Sequence, residues 1–69
     1  MKETYCLFLP ADLAIVETFI QQMFKAGACF DRDYKVTPEG NFVRVSTEAQ
    51  DQFNVIRRTI ASVLEKELQ

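Results

Sequence analysis

Residues 37–50 read Thr37-Pro38-Glu39-Gly40-Asn41-Phe42-Val43-Arg44-Val45-Ser46-Thr47-Glu48-Ala49-Gln50, and three structural signals follow one another along them. Thr37 to Asn41 has turn chemistry: proline pre-sets φ and glycine is free to take a positive φ. Phe42 to Ser46 alternates as a strand with one buried face does, with Val43 and Val45 turned inward and Phe42 and Arg44 outward. Thr47-Glu48-Ala49-Gln50 matches a capping box, in which a Thr hydroxyl and a Gln amide satisfy backbone donors at a helix start. A hairpin that runs directly into a capped helix is predicted.

Downstream, Ala49, Phe53, Ile56, Ile60, Val63 and Leu64 form one helical stripe, and Asp51, Arg58, Ser62 and Glu65 lie opposite. Val55 falls off that stripe and is expected at the surface. Upstream, Cys29 to Val36 alternates, so that Phe30, Tyr34 and Val36 point one way and Asp31, Asp33 and Lys35 the other. Arg32 then lies on the apolar side, near the strand's end, where its stem packs and its head reaches water.

Further back, Thr4 to Leu9 is an apolar, aromatic and β-branched run, as in a strand covered on most of both faces. Pro10 fits the first position of a helix and Asp12 its first turn. In that helix Leu13, Ile15, Val16, Phe19, Ile20, Met23 and Phe24 occupy one half of the wheel. Gly27 is placed to stop it in a left-handed conformation. The order is strand, helix, strand, strand, helix. The first crossover is long enough for parallel pairing, and both helices must bury their stripes. The expected fold class is α+β: a two-layer βαββα domain spanning residues 1–69, with a three-stranded mixed sheet and both helices on one face.

Sixty-nine residues support one core and no more. The sequence has no His, which excludes imidazole-based acid–base chemistry, Ser-His or Cys-His nucleophiles and His metal sites within one subunit. Cys6 and Cys29 lack CxxC spacing, and no glycine-rich phosphate loop occurs. No catalytic, cofactor-binding or metal-ligating residue is assigned, and an enzyme is not expected. The apolar run Tyr5 to Leu9 is too short for the core of a signal peptide, and nothing approaches the roughly 20 apolar residues of a membrane span. The cytoplasm is the expected compartment, with Cys6 and Cys29 reduced; a redox pair or disulfide is the alternative.

The expected layering leaves the far side of the sheet bare, with Phe8, Phe42 and Arg44 on it; the alternative is that the ends of the chain shield these side chains or that a one-residue shift of register turns them to the helices. Three classes of function fit. A non-catalytic regulator would bind another protein through this face, through an unpaired strand edge or through the acids Asp31, Asp33, Glu48 and Asp51. A single-stranded nucleic-acid binder would stack bases on the rings beside Arg44. The net charge of −2 disfavours this, and Arg57-Arg58, the only basic doublet, reads as a solvated helix surface. A homodimer would cover the bare face with a second copy.

Leu9-Pro10-Ala11, and Val43-Arg44-Val45-Ser46-Thr47-Glu48 running into a helix through Phe53 and Ile56, resemble the DinI-like family. These are small bacterial and phage-encoded modulators of the SOS response to DNA damage, with two helices on one side of a three-stranded sheet. The resemblance implies a RecA-type recombinase filament as partner, bound through acids of the last helix. Glu48, Asp51, Glu65 and Glu67 are the positions it points to.

Overall fold

The computed structural model describes residues 3–67. Its elements are β1 (Tyr5–Pro10), α1 (Leu13–Lys25), β2 (Lys35–Glu39), β3 (Phe42–Thr47) and α2 (Gln50–Glu67), in the expected βαββα order. The sheet order is β1-β3-β2, and both pairings are antiparallel. The expected mixed sheet is therefore corrected to an antiparallel one. β1 and β2 do run the same way, as a helical crossover dictates, but β3 folds back into the gap between them and they never pair.

Both helices lie on one side of this sheet. Leu9, Val43 and Val45 turn toward them and are buried with Phe19 and Met23 of α1 and Ile56, Ile60 and Val63 of α2. Alternation carries this face across all three strands: Leu7 opposes Val45, which opposes Val36. Tyr34, the residue before β2, closes one end of the core and meets Phe19 edge to face with ring centroids 5.8 Å apart.

β2 begins later than the alternation suggests. Thr37, Pro38 and Glu39 are strand residues, and the turn is Gly40-Asn41 alone. Gly40 takes φ +63° and Asn41 does not have a positive φ, the arrangement of a two-residue hairpin turn with glycine in first place. Pro38 is tolerated because β2 is an edge strand, where a missing N–H need cost no ladder bond.

Residues 29–34 form a tight turn in place of the expected strand. The Asp33 carboxylate accepts from the Cys29 backbone N–H (2.8 Å), while the Arg32 and Asp33 amides donate to the Cys29 carbonyl. Asp31 adopts φ 66°, a left-handed conformation that Asp tolerates better than most residues. Phe30 is half exposed and not inward, and Arg32 is exposed, paired with Asp33 at 3.0 Å.

Helix ends are set by local bonds. Pro10 closes β1 and does not open α1; Asp12 is the N-cap, its Oδ1 accepting from the amides of Ala14 and Ile15. At the other end Gly27 takes φ +91°, Ala28 N–H donates to the Met23 carbonyl and Gly27 N–H to that of Phe24, the paired bonds of a Schellman stop. The Thr47 hydroxyl accepts from the Ala49 amide (3.2 Å) and donates to the Asp33 carbonyl (3.0 Å). The expected capping box is thereby corrected: α2 starts at Gln50, the Phe53 amide donates to the Ala49 carbonyl so that Ala49 is the N-cap, and Thr47 belongs to β3, paired with Tyr5. Val55 is half-buried against the core, on the flank of α2 that faces Gln22 and Ala26 of α1.

Two residues expected on the core stripe of α1 are at the surface, as is Ala49 from the stripe of α2. Leu13 is 73% exposed and Phe24 69%. The buried arc of α1 is centred on Phe19 and Met23, and a helix covering a small sheet buries a narrower arc than half its wheel. No helix among the described residues is long and apolar enough to cross a membrane. Cys6 and Cys29 are free thiols, Cys6 exposed and Cys29 half-buried.

Candidate functional site

The side of the sheet away from the helices is a three-by-three grid set by register. Cys6, Ser46 and Lys35 form one row, Phe8, Arg44 and Thr37 the next, and Pro10, Phe42 and Glu39 the third. Each row takes one residue from β1, β3 and β2 in turn, and alternation sends all nine to the same side. Phe8 is 54% exposed and Phe42 50%. A half-bare Phe leaves on the order of 100 Å² in water, so the two rings form a local apolar patch of the kind associated with a partner.

The rings of Phe8 and Phe42, with Glu39, line a shallow apolar depression. Arg44 stands between them: it opposes Phe8 across the β1/β3 ladder and lies two residues from Phe42 along β3. The face thus offers two aromatic surfaces, one guanidinium at its centre, and the Lys35 ammonium and Glu39 carboxylate at the two ends of β2 along one side. Lys35 and Glu39 were not singled out in the sequence. Their four-residue spacing on a strand puts them on one face, but only once β2 is known to run on to Glu39.

Of the residues selected from the sequence, Phe8, Phe42 and Arg44 come together here. Asp31 and Asp33 do not join them, because both sit in the turn before β2. Asp33 is committed to that turn: the Cys29 amide, and then Arg32, hold its carboxyl below the usual carboxylate range. Glu48 is exposed in the link between β3 and α2, and Asp51 and Glu65 are exposed on α2. Asp51, Arg58 and Glu65 follow at seven-residue intervals and so nearly line up along the helix, with the guanidinium between the two acids. The side chain of Glu67 lies outside the described residues.

A second concavity lies at the other end of the sheet, where β2, β3 and the start of α2 meet. It is lined by Arg32, Tyr34, Lys35, Glu48 and Gln52 among others. The Tyr34 hydroxyl and Gln52 Oε1 are buried without a hydrogen-bond partner among the described residues. Burial, followed by the nearby Cys29 and Asp33, pushes the Tyr34 hydroxyl up to about 12.

No family model matches the chain, and neither a curated protein nor a solved structure matches it. Functional assignment therefore rests on the geometry and on the residues that form it. Among the described residues no three of Cys, Asp and Glu are gathered as metal ligands.

Proposed function

We propose that this chain is a non-catalytic regulatory module that binds another protein through the uncovered face of its sheet. The observation that carries this reading is the placement of Phe8 and Phe42 around Arg44 on that face, each ring about half in water. Aromatic and Arg residues are the side chains most enriched where binding energy concentrates. The partner surface that fits is apolar, with a carboxylate placed for Arg44.

Acids support protein over nucleic acid as the ligand. Glu39 lines the aromatic depression and the chain carries a net charge of −2, both unfavourable for a phosphate backbone. The likeness to DinI-like proteins supports a RecA-type filament as the first partner to test, in a reducing cytoplasm where the thiols of Cys6 and Cys29 persist. Arg58, set between Asp51 and Glu65, supports contact through the sheet face in preference to α2.

The test is co-sedimentation with RecA-type filaments assembled on single-stranded DNA, with bare DNA as control. The account expects the wild-type chain to sediment with filaments, Asp51→Asn with Glu65→Gln to do the same, and Phe8→Ser with Phe42→Ser to stay in solution. Absence of sedimentation at low salt removes this partner class. Sedimentation with bare DNA, lost steeply as salt rises, replaces the protein reading with a nucleic-acid one.

A further inference from the structure

The two edges of the sheet are built differently. β2 exposes one edge and carries Lys35, Pro38 and Glu39 along five residues, the charged and proline devices that stop a strand from pairing further. β1 forms the other edge and reads Tyr5-Cys6-Leu7-Phe8-Leu9-Pro10, with no charge, no glycine and no proline until its last residue. Nothing among the described residues pairs with its outer side. Alternate residues of such a strand turn an amide and a carbonyl away from the sheet, as a template for another strand.

We infer that β1 pairs antiparallel with β1 of a second copy, joining two sheets into one of six strands in the order β2-β3-β1-β1-β3-β2. The β1 sequence selects this occupant because it is complementary to itself. With the two-fold axis at Leu7, Tyr5 opposes Leu9 of the partner subunit, Cys6 opposes Phe8 of the partner subunit, and Leu7 opposes Leu7 of the partner subunit. Every one of the five pairs is apolar, and each unites side chains on the same face. No other register pairs all five apolar residues. Both outer edges of the resulting sheet are the guarded β2, so assembly stops at two copies.

The helix layer is prepared for the added strand. Val55 marks the flank of α2 that faces α1. Phe53 and Leu64, half-buried, lie roughly 160–180° around the helix from it, and the Phe53 ring rests against Tyr5 of β1 at 5.2 Å. That apolar flank meets β1 at Tyr5, and an incoming strand would pack beside it. A two-fold axis perpendicular to the sheet keeps all four helices on one side. The bare faces then join into one surface, with a Phe8 on each side of the axis. This use of the joined surface rests on the proposed function; the pairing itself does not.

Light scattering and disulfide cross-linking test the pairing with no partner present. In a Cys29→Ser background the account expects a mass of two chains of 8.0 kDa. It also expects no cross-linking through Cys6 alone, because the two Cys6 Cα atoms would stand about 8 Å apart, beyond disulfide reach. Phe8→Cys sets a thiol directly opposite Cys6 of the partner subunit, so mild oxidation should give a covalent dimer. Cys6→Lys, at a position exposed in the single chain, should weaken association at least tenfold while its circular dichroism stays that of a folded chain. A single-chain mass at about 1 mM overturns the inference. So does a dimer that cross-links through Phe42→Cys and not through Phe8→Cys, which would be packed face to face. A wild-type chain that dimerises in this way and binds no filament would instead count against the proposed function alone.

Discussion

Phe8 and Arg44 stand directly opposite one another across the β1/β3 ladder, on the side of the sheet that neither helix covers. Cross-strand neighbours of this kind have Cβ atoms about 5 Å apart, so the ring and the guanidinium stem share one surface. The pairing follows from layering. Leu7, Val43 and Val45 turn toward the helices, which leaves their neighbours Phe8, Phe42 and Arg44 no choice but the open side.

Two phenylalanines of α1 should respond oppositely to truncation. Phe19 is fully buried and Phe24 is 69% exposed. Phe19→Ala is expected to cost about 3–5 kcal/mol, enough to unfold much of so small a domain. Phe24→Ala should stay within about 0.5 kcal/mol of wild type in urea unfolding. Comparable losses for the two variants would mean that the outer flank of α1 is covered.

Tyr34→Phe should raise stability. The Tyr34 side chain is packed between the rings of Phe19 and Phe30, and its hydroxyl is buried with no partner among the described residues. Deleting that oxygen removes a desolvation cost and keeps the packing, for a gain of about 1 kcal/mol. A lower melting temperature would show that the hydroxyl is hydrogen-bonded in solution.

The same hydroxyl makes the fold sensitive to alkali. Its ordinary value is about 10, and burial moves it to about 12 in the folded chain. Between these values the unfolded chain releases this proton and the folded chain keeps it. Stability from this group is therefore complete below about pH 10 and is lost as pH rises toward 12. In a Tyr5→Phe background, tyrosinate absorbance should rise near pH 12 or together with unfolding. Ionisation near pH 10 in a chain that is still folded would contradict the burial.

Acid should weaken the turn at residues 29–34. Asp33 is held below the usual carboxylate range by the Cys29 amide and then by Arg32, so the unfolded chain takes up this proton first as pH falls. The stability it supplies is present above about pH 4 and is lost as pH drops through its folded value. Asp33→Ala should lower the urea midpoint at about pH 6 and narrow the gap between that midpoint and the one at about pH 3. An unchanged gap would place the acid sensitivity elsewhere.

Which elements were legible depended on where their information lies. β3 and α2 could be read because alternation and the apolar helical stripe are local, and alternation against Val43 and Val45 puts Phe42 and Arg44 on the other face. β1 is apolar on both faces, so the side taken by Phe8 was fixed only by its packing. The neighbour of β1 could not be read, since pattern says which way a residue points and not which strand lies beside it. Cys29 to Tyr34 misled because a turn closed by Asp33 on the Cys29 amide alternates charge and apolarity as a strand does. The left-handed Asp31 has no signature as strong as a glycine. Reading Thr37 to Asn41 as turn hid Glu39 from the candidate face, whereas alternation already turns Lys35 outward. Leu13 and Phe24 were assigned to the core because a helical wheel shows an apolar half and does not show how much of it a three-stranded sheet can cover.

The uncovered sheet face as a binding surface is the central claim, and Phe8→Ser combined with Phe42→Ser addresses it most directly. Wild-type and variant chains, matched by circular dichroism and melting temperature, would be immobilised and used to capture proteins from the same lysate, with retained species compared by mass spectrometry. The account predicts a variant that melts within a few degrees of wild type and loses a protein that wild type retains. An identical set of retained species on two folded chains would contradict it, as would a variant that fails to fold, since those rings would then belong to the core.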